Sequence, residues 1–211
     1  MLFRSVTFAI ASAYASALTV TAASNASACV LTVTNTLAIG DYVEFASGWS
    51  NANSRVFRLS AAAAGSVTLE VFDTSSTTLF PAGSGTGTIK KINTWQQVQQ
   101  VLTSTSSGGE AQYKTYSFLE QSFESQIPTT TSPRSIALEI ADDPTLAGYQ
   151  ALKTISLTRA VTAVRGALPQ GGFILFTSIA SLDEFPSMTK GELMSVKASL
   201  AAQGLPTRYA S

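Results

Sequence analysis

Pro133-Arg134-Ser135-Ile136-Ala137-Leu138-Glu139-Ile140-Ala141-Asp142-Asp143-Pro144 opens the stretch that decides the fold, and its pattern continues to Asp183. Ile136, Leu138 and Ile140 alternate with smaller or polar residues and so share one face of a β-strand. Asp142 and Asp143 then precede Pro144. This predicts Asp143 as a carboxylate N-cap with proline at the first helical position, where its missing N–H costs nothing. The helix is expected over about 144–156, with Leu146, Tyr149, Leu152 and Ile155 as the apolar stripe. Val161 to Leu168 and Phe173 to Leu182 read as two strands of a hairpin. They are joined by Pro169-Gln170-Gly171-Gly172, residues that supply the fixed and positive φ angles of a tight reversal. The unit is one helix laid on an antiparallel sheet.

Composition narrows the function. The chain has 211 residues and no histidine, which removes the commonest general base, the usual protease triads and the commonest zinc ligand. Its single cysteine, Cys29, allows no intrachain disulfide and reads as a buried apolar filler. Thirteen basic residues balance thirteen acidic ones, so nothing attracts nucleic acid by net charge. Low charge with abundant Ser, Thr and Ala suits surfaces covered by neighbouring copies, and self-association is expected.

Outward from the central stretch, residues 1–16 imitate a secretory signal, with Met1-Leu2-Phe3-Arg4 ahead of an apolar run. Serines, a threonine and a tyrosine interrupt that run, so an N-terminal arm or first strand is the preferred reading, and the run is too short and polar to cross a membrane. Residues 17–92 read as a small all-β module of short strands. They include Ala28 to Thr34, Tyr42 to Phe45, Arg55 to Leu59 and Ser66 to Phe72. Pro81-Ala82-Gly83-Ser84-Gly85-Thr86-Gly87 suits a loop or linker, and no helix follows it that would make a phosphate cradle. Residues 93–211 form the second domain.

In that domain Trp95 to Thr103 is expected as a strand and Ser104, Thr105, Ser106, Ser107, Gly108 and Gly109 as a mobile loop. Ala111 to Ile127 reads as one long extended segment. Its odd positions Tyr113, Leu119, Phe123 and Ile127 are apolar, and its even positions Glu120, Ser122, Glu124 and Gln126 form a polar row. Leu193 to Ala202 closes the domain as a strand, with Met194, Val196, Ala198 and Leu200 on one face and Ser195, Lys197 and Ser199 on the other.

No catalytic, metal or cofactor site emerges. Glu120 and Glu124, on one strand, would stand about 13 Å apart, too far for a retaining glycosidase pair. Asp142 and Asp143 are accounted for by a helix N-terminus. Trp49, Trp95, Tyr42 and Tyr113 read as core or interface rather than a sugar platform. Lys90-Lys91 is a solvated pair.

Ser107-Gly108-Gly109-Glu110-Ala111-Gln112-Tyr113-Lys114-Thr115-Tyr116-Ser117-Phe118-Leu119-Glu120, then Gln126-Ile127-Pro128-Thr129, then Leu138-Glu139-Ile140-Ala141-Asp142-Asp143-Pro144 and Gly148-Tyr149-Gln150-Ala151-Leu152, resemble the tail tube (major tail) proteins of long-tailed bacteriophages. The likeness covers Trp95 to Tyr209. Gly40-Asp41-Tyr42-Val43-Glu44-Phe45 through Arg58 to Thr74 is similar to a small β module of phage structural proteins. The resemblance implies a mainly β fold: a tail-tube-type β-sandwich or barrel with one flanking α-helix, preceded by the small all-β module. It further implies a non-enzymatic virion protein, assembled in the bacterial host cytoplasm, whose hexameric rings stack into a tube that conducts DNA.

Implied partners are sister copies, the tape measure protein and DNA transiently in the lumen, and tail terminator and tip proteins; no membrane binding by this chain is implied. Ser104 to Gly109 are the candidates for inter-ring contact. Glu120, Ser122 and Glu124 are the candidates for the lumen, with an outward or inter-subunit position as the alternative. A secreted fimbrial or adhesive β-domain and a phage carbohydrate-binding decoration module remain as other readings of the same sequence.

Overall fold

The computed structural model describes residues 6–169 and 171–210. The expectations that rest on residues 1–5 and on Gln170 lie outside the described residues. In chain order the elements are β1 (Thr7–Tyr14), β2 (Leu18–Val20), β3 (Ala22–Ala23), β4 (Val30–Thr32), β5 (Tyr42–Ser47), β6 (Arg55–Ala63), β7 (Ser66–Leu69), β8 (Gly87–Val98) and β9 (Val101–Ser107). There follow β10 (Ala111–Tyr116), β11 (Ser125–Thr131), β12 (Ser135–Ala141), α1 (Ala147–Thr158), β13 (Val161–Ala167), β14 (Phe173–Ser187), β15 (Ser195–Ala202) and β16 (Thr207–Tyr209). Among the described residues the chain is mainly β with one helix, as the resemblance implied.

One curled sheet runs in the order β3-β4-β7-β6-β5-β8-β1-β13-β14-β15-β12-β9, with β2 also on β8 and β16 on β14. Phe8, Ala9, Ile10 and Ala11 of β1 are buried, and β1 is paired on both sides, with β8 and β13. That is the environment of a central strand, and it accounts for the apolar character of Phe8 to Ala11.

Three apolar clusters hold the sheet. Leu31, Phe45, Trp49, Phe57, Leu59, Leu69, Phe72, Phe80 and Ile89 fill the curl formed by β2 to β8, where Cys29 is fully buried with them. Leu138, Ile140, Val196, Ala198, Leu200, Val164 and Phe176 pack beneath Tyr149, Leu152 and Ile155 of α1, so the predicted stripes of helix and strand meet. Val56, Ile92, Ala163, Phe173, Leu175 and Tyr209 join the two. β8 runs unbroken across residue 92. Its first half pairs with β2 and β5 and its second half with β1.

The helix begins later than expected. Its N-cap position is Leu146, with no side-chain cap, so Asp143 is not the N-cap. The Asp143 carboxylate instead accepts from the N–H and hydroxyl of Thr145, at 3.1 and 2.6 Å, closing a turn before the helix. Proline at 144 is accommodated in that turn. The helix ends at Arg159, in the left-handed conformation with φ +52°, whose N–H reaches the Ile155 carbonyl at 2.8 Å.

The β13–β14 hairpin is in the expected place. Leu168 donates to the Gly172 carbonyl at 2.7 Å, and Gly171 has φ +84°. The strand expected from Trp95 to Thr103 is two strands, broken at Gln99 and Gln100, where Gln100 takes φ +55°. The last long strand begins at Ser195, so Met194 lies outside it and is exposed.

Candidate functional site

Beyond the packed cores, the surface itself is the feature to explain. β9 is the terminal strand of the sheet, bonded to β12 on one side only. Ser104, Thr105, Ser106 and Ser107 therefore belong to a strand and not to a loop, a correction with a plain cause. Ser107 to Thr103 pair with Ser135 to Glu139, and backbone pairing, not side-chain packing, holds these small residues extended. Leu102 to Ser107 are all exposed, the strand carries no charge and no proline, and its pairing with β12 is regular from Thr103 to Ser107, with an irregularity at Leu102. Natural sheets blunt such an edge when it is meant to stay unpaired. The opposite end of the sheet, β3, is two residues long and offers nothing comparable.

Gly108 and Gly109 form a bend with φ +81° and +86°. A Cβ at Gly108 would lie 1.8 Å from the Pro133 carbonyl oxygen, so only glycine allows the two chains to approach here. Beyond the bend β10 and β11 pair with each other as a separate two-stranded ribbon. Residues 117–124 connect them, so the single strand expected over Ala111–Ile127 is a hairpin. Glu120, Ser122 and Glu124 sit in its exposed connection and form no row on a strand face. The alternation of apolar and polar residues extends through the connection, which is why the sequence reads as continuous.

This arm exposes Tyr113, Tyr116, Phe118, Leu119, Phe123 and Ile127. An isolated two-stranded ribbon is marginal in water, and six large apolar side chains in one projection form an interaction surface. The arm leaves the end of the sheet marked by Ser107, Ser135 and Ala201. Phe185, Met188, Leu193 and Met194, also exposed, lie around the β14–β15 connection at the opposite end, marked by Ala141, Ser187 and Ser195.

In β12, β15 and β14 one face packs in the cluster beneath α1 and the other is open, and β9 continues their sheet as its exposed border. Across the open face Thr103, Glu139, Lys197 and Asp183 are in cross-strand register, as are Thr105, Ala137, Ser199 and Ser181. The Glu139 carboxylate accepts from Ser195 Oγ at 2.6 Å and from Thr103 Oγ1 at 3.3 Å. The place of Glu139 and Asp183 beside Lys197 needs the strand register, which the sequence alone does not supply.

Elsewhere the chemistry is structural. Trp49 is 1% exposed and donates Nε1–H to the Pro81 carbonyl at 2.7 Å, so it presents no sugar platform. Trp95 and Tyr42 pack edge to face, with Arg165 over both rings. Lys91 pairs with Asp41 at 2.7 Å. A cleft of about 820 Å³ between α1 and the sheet is lined by Tyr14, Glu44, Lys90, Gln150 and Thr154 among others. Burial raises the Glu44 carboxyl above its usual range, opposed by Lys90, and burial likewise raises the Tyr14 hydroxyl. Burial lowers the Arg55 guanidinium, whose Nη2 donates to Pro206 O and Thr207 Oγ1, each at 3.2 Å. Among the described residues no group of three or more Asp, Glu, Cys or His side chains is placed to hold a metal ion. No described helix is long and apolar enough to cross a membrane.

Residues 47–211 match the family model described as phage tail tube protein. No curated protein matches the sequence. Among solved structures, a chain of the virion of a native gene transfer agent particle is similar, at 13% identity and a TM-score of 0.44, over 55% of this chain and 89% of that one.

Proposed function

Because the chain belongs to the phage tail tube protein family and is a structural component of the virion tail, we propose that its copies join edge to edge into hexameric rings that stack into a DNA-conducting tube. The observation that carries this reading is the uncharged, fully accessible border of β9. Its partner would be a border of the next copy, and the candidate is β14 beyond Ile179, where β13 stops. Ser156 Oγ accepts from the Leu182 N–H at 3.0 Å, which leaves Asp183 to Ser187 as the part beyond that cap. Closing the ring removes the free edges of every copy at once.

Stacking would use the two ends of the sheet. The arm of one copy, with Tyr113, Phe118 and Phe123, is set against the Phe185–Met194 end of a copy in the adjacent ring. Gly108 and Gly109 act as the fixed elbow from which the arm projects. The finished bore would hold the tape measure protein during assembly and DNA afterwards, and terminator and tip proteins would close its ends.

Negative-stain microscopy of the concentrated protein tests the reading. Rings or hollow rods are expected. Replacing Ser104 and Ser106 by lysine charges the border on the side away from the open face and should leave a folded, non-assembling subunit. Isolated particles at every concentration of the unaltered protein, or undiminished rods from the lysine variant, would overturn it.

A further inference from the structure

We infer that the root of the arm is a two-part socket for the 189–193 turn of a second copy, with Leu193 entering its apolar half and Glu192 meeting Arg134. The inference rests on the proposed stacking and names the contact by which one copy selects the next. The apolar half is a slot of about 240 Å³ with Ile136, Ile174, Phe176 and Pro206 among its walls. It is smaller than a drug-sized ligand needs and suits a single aliphatic side chain. The polar half is a hollow of about 310 Å³, lined by Ser50, Asn53, Ser132 and Gln203 among others and by no carboxylate. Arg134 lines both halves. A Cβ at Gly109 would lie 2.7 Å from Arg134 Nε and 3.3 Å from its Cγ, so glycine at the elbow leaves the room that this side chain occupies.

Charge and position choose the occupant. Among the described residues Arg134 makes no ion pair, and neither does Glu110, which follows the elbow and donates its N–H to Ser132 Oγ at 3.0 Å. The root of the arm therefore offers one cation and one anion. At the opposite end of the sheet Glu192 donates its N–H to the Thr189 carbonyl at 3.1 Å, and Gly191 has φ +91°. That turn presents Lys190 and Glu192, both exposed and neither in an ion pair among the described residues. Each end carries the complement of the other, Arg134 for Glu192 and Glu110 for Lys190. Leu193, next in the chain, is 64% exposed. Glu184, beside Phe185, is already taken by Lys153 at 2.6 Å. Glu192 and Leu193 thus join a free carboxylate to an exposed apolar side chain at this end. Leu119 and Glu120 of the arm have the same chemistry, but the arm leaves from the same end as the socket, so seating them there would not carry the stack forward.

Charge exchange tests it. Arg134→Glu and Glu192→Arg, each alone, should leave rings, because β9 is unaltered. Each should raise the concentration needed for rods about a hundredfold, the sum of weak exposed pairs acting together in every ring. The double variant should form rods near the unaltered concentration. Rods from either single variant at the unaltered concentration, or double-variant rings that still fail to stack, would overturn the pairing. Cross-linking gives a second readout. Cys29 is buried, so Gln203→Cys with Glu192→Cys supplies the accessible thiols, and oxidised rods should yield a ladder of covalently joined chains. Monomers alone, or a ladder that forms only when Glu120→Cys replaces Glu192→Cys, would give the socket to another occupant and refute the inference. Absence of rings from the unaltered protein would instead refute the tube itself.

Discussion

Gly148→Ala and Gly65→Ala make the same chemical change and should have opposite signs. Gly148 is the second residue of α1 and is buried against β8. A Cβ there would lie 2.4 Å from the Gln97 carbonyl oxygen and 2.9 Å from Val98 Cα, both backbone atoms that cannot swing aside. Restoring an ordinary contact moves the start of the helix about 1 Å from the sheet, over the site where Tyr149 and Leu152 pack. Overpacking of this kind costs about 1–3 kcal/mol. Alanine's better helix propensity returns at most about 0.8–1 kcal/mol, and less in a first turn. The net loss is about 0.5–2 kcal/mol, or about 2–6 °C in melting temperature for a domain of this size.

Gly65 has open space around its missing Cβ and no positive φ. Alanine there should be neutral or stabilising by about 0.4–1 kcal/mol through the unfolded chain. Thermal and urea unfolding below the assembling concentration, followed by fluorescence of Trp49 and Trp95, measures both. A Gly148 variant as stable as the unaltered protein would refute the close approach of helix and sheet.

Tyr209→Phe keeps the stack on Phe173 but removes the hydroxyl that accepts from the Arg58 N–H at 2.9 Å. Losing that part-buried hydrogen bond should cost about 0.5–1.5 kcal/mol in urea unfolding. Burial pushes the Tyr209 hydroxyl up to about 12, so the cost should be constant from acid to mildly alkaline pH. Glu44→Gln should stabilise at neutral pH. Burial raises the folded Glu44 carboxyl above its unfolded value, so the folded state holds the extra proton between the two, and its contribution falls as pH rises through that window. The advantage of the glutamine variant should therefore shrink as pH drops into the usual carboxylate range, and a gain constant across a pH series of melting curves would contradict the assignment.

The parts of the fold that the sequence makes legible are those where side chains, packed on one face, set the period. Ile136, Leu138 and Ile140, the α1 stripe and the β13–β14 hairpin are of this kind. The boundaries were misread where backbone geometry decides. Asp143 and Thr145 bind each other before the helix can start, and Ser104–Ser107 extend only because β12 supplies their partners. The arm was misread for a further reason. Its apolar residues alternate as in a half-buried strand although they are exposed in the subunit, so the period alone does not distinguish a packed strand from a projecting ribbon. The row Glu139, Lys197 and Asp183 brings together three strands, and no local spacing announces it.

The two ends of the sheet constrain how the proposed tube can grow. A contact between like ends would pair arm with arm and stop at a double ring, because a two-fold interface consumes its own surface. Arm and β14–β15 end differ in sequence and in shape, the one a projecting ribbon and the other a short connection with Phe185 and Met188 exposed. A contact between unlike ends leaves a fresh arm and a fresh acceptor after every addition, so rings would add indefinitely and all point one way. Length must then be set from outside this chain. Directional growth would also give the sparsely charged surface a purpose: copies that must meet neighbours at both sides and both ends gain little from charge that would keep them apart.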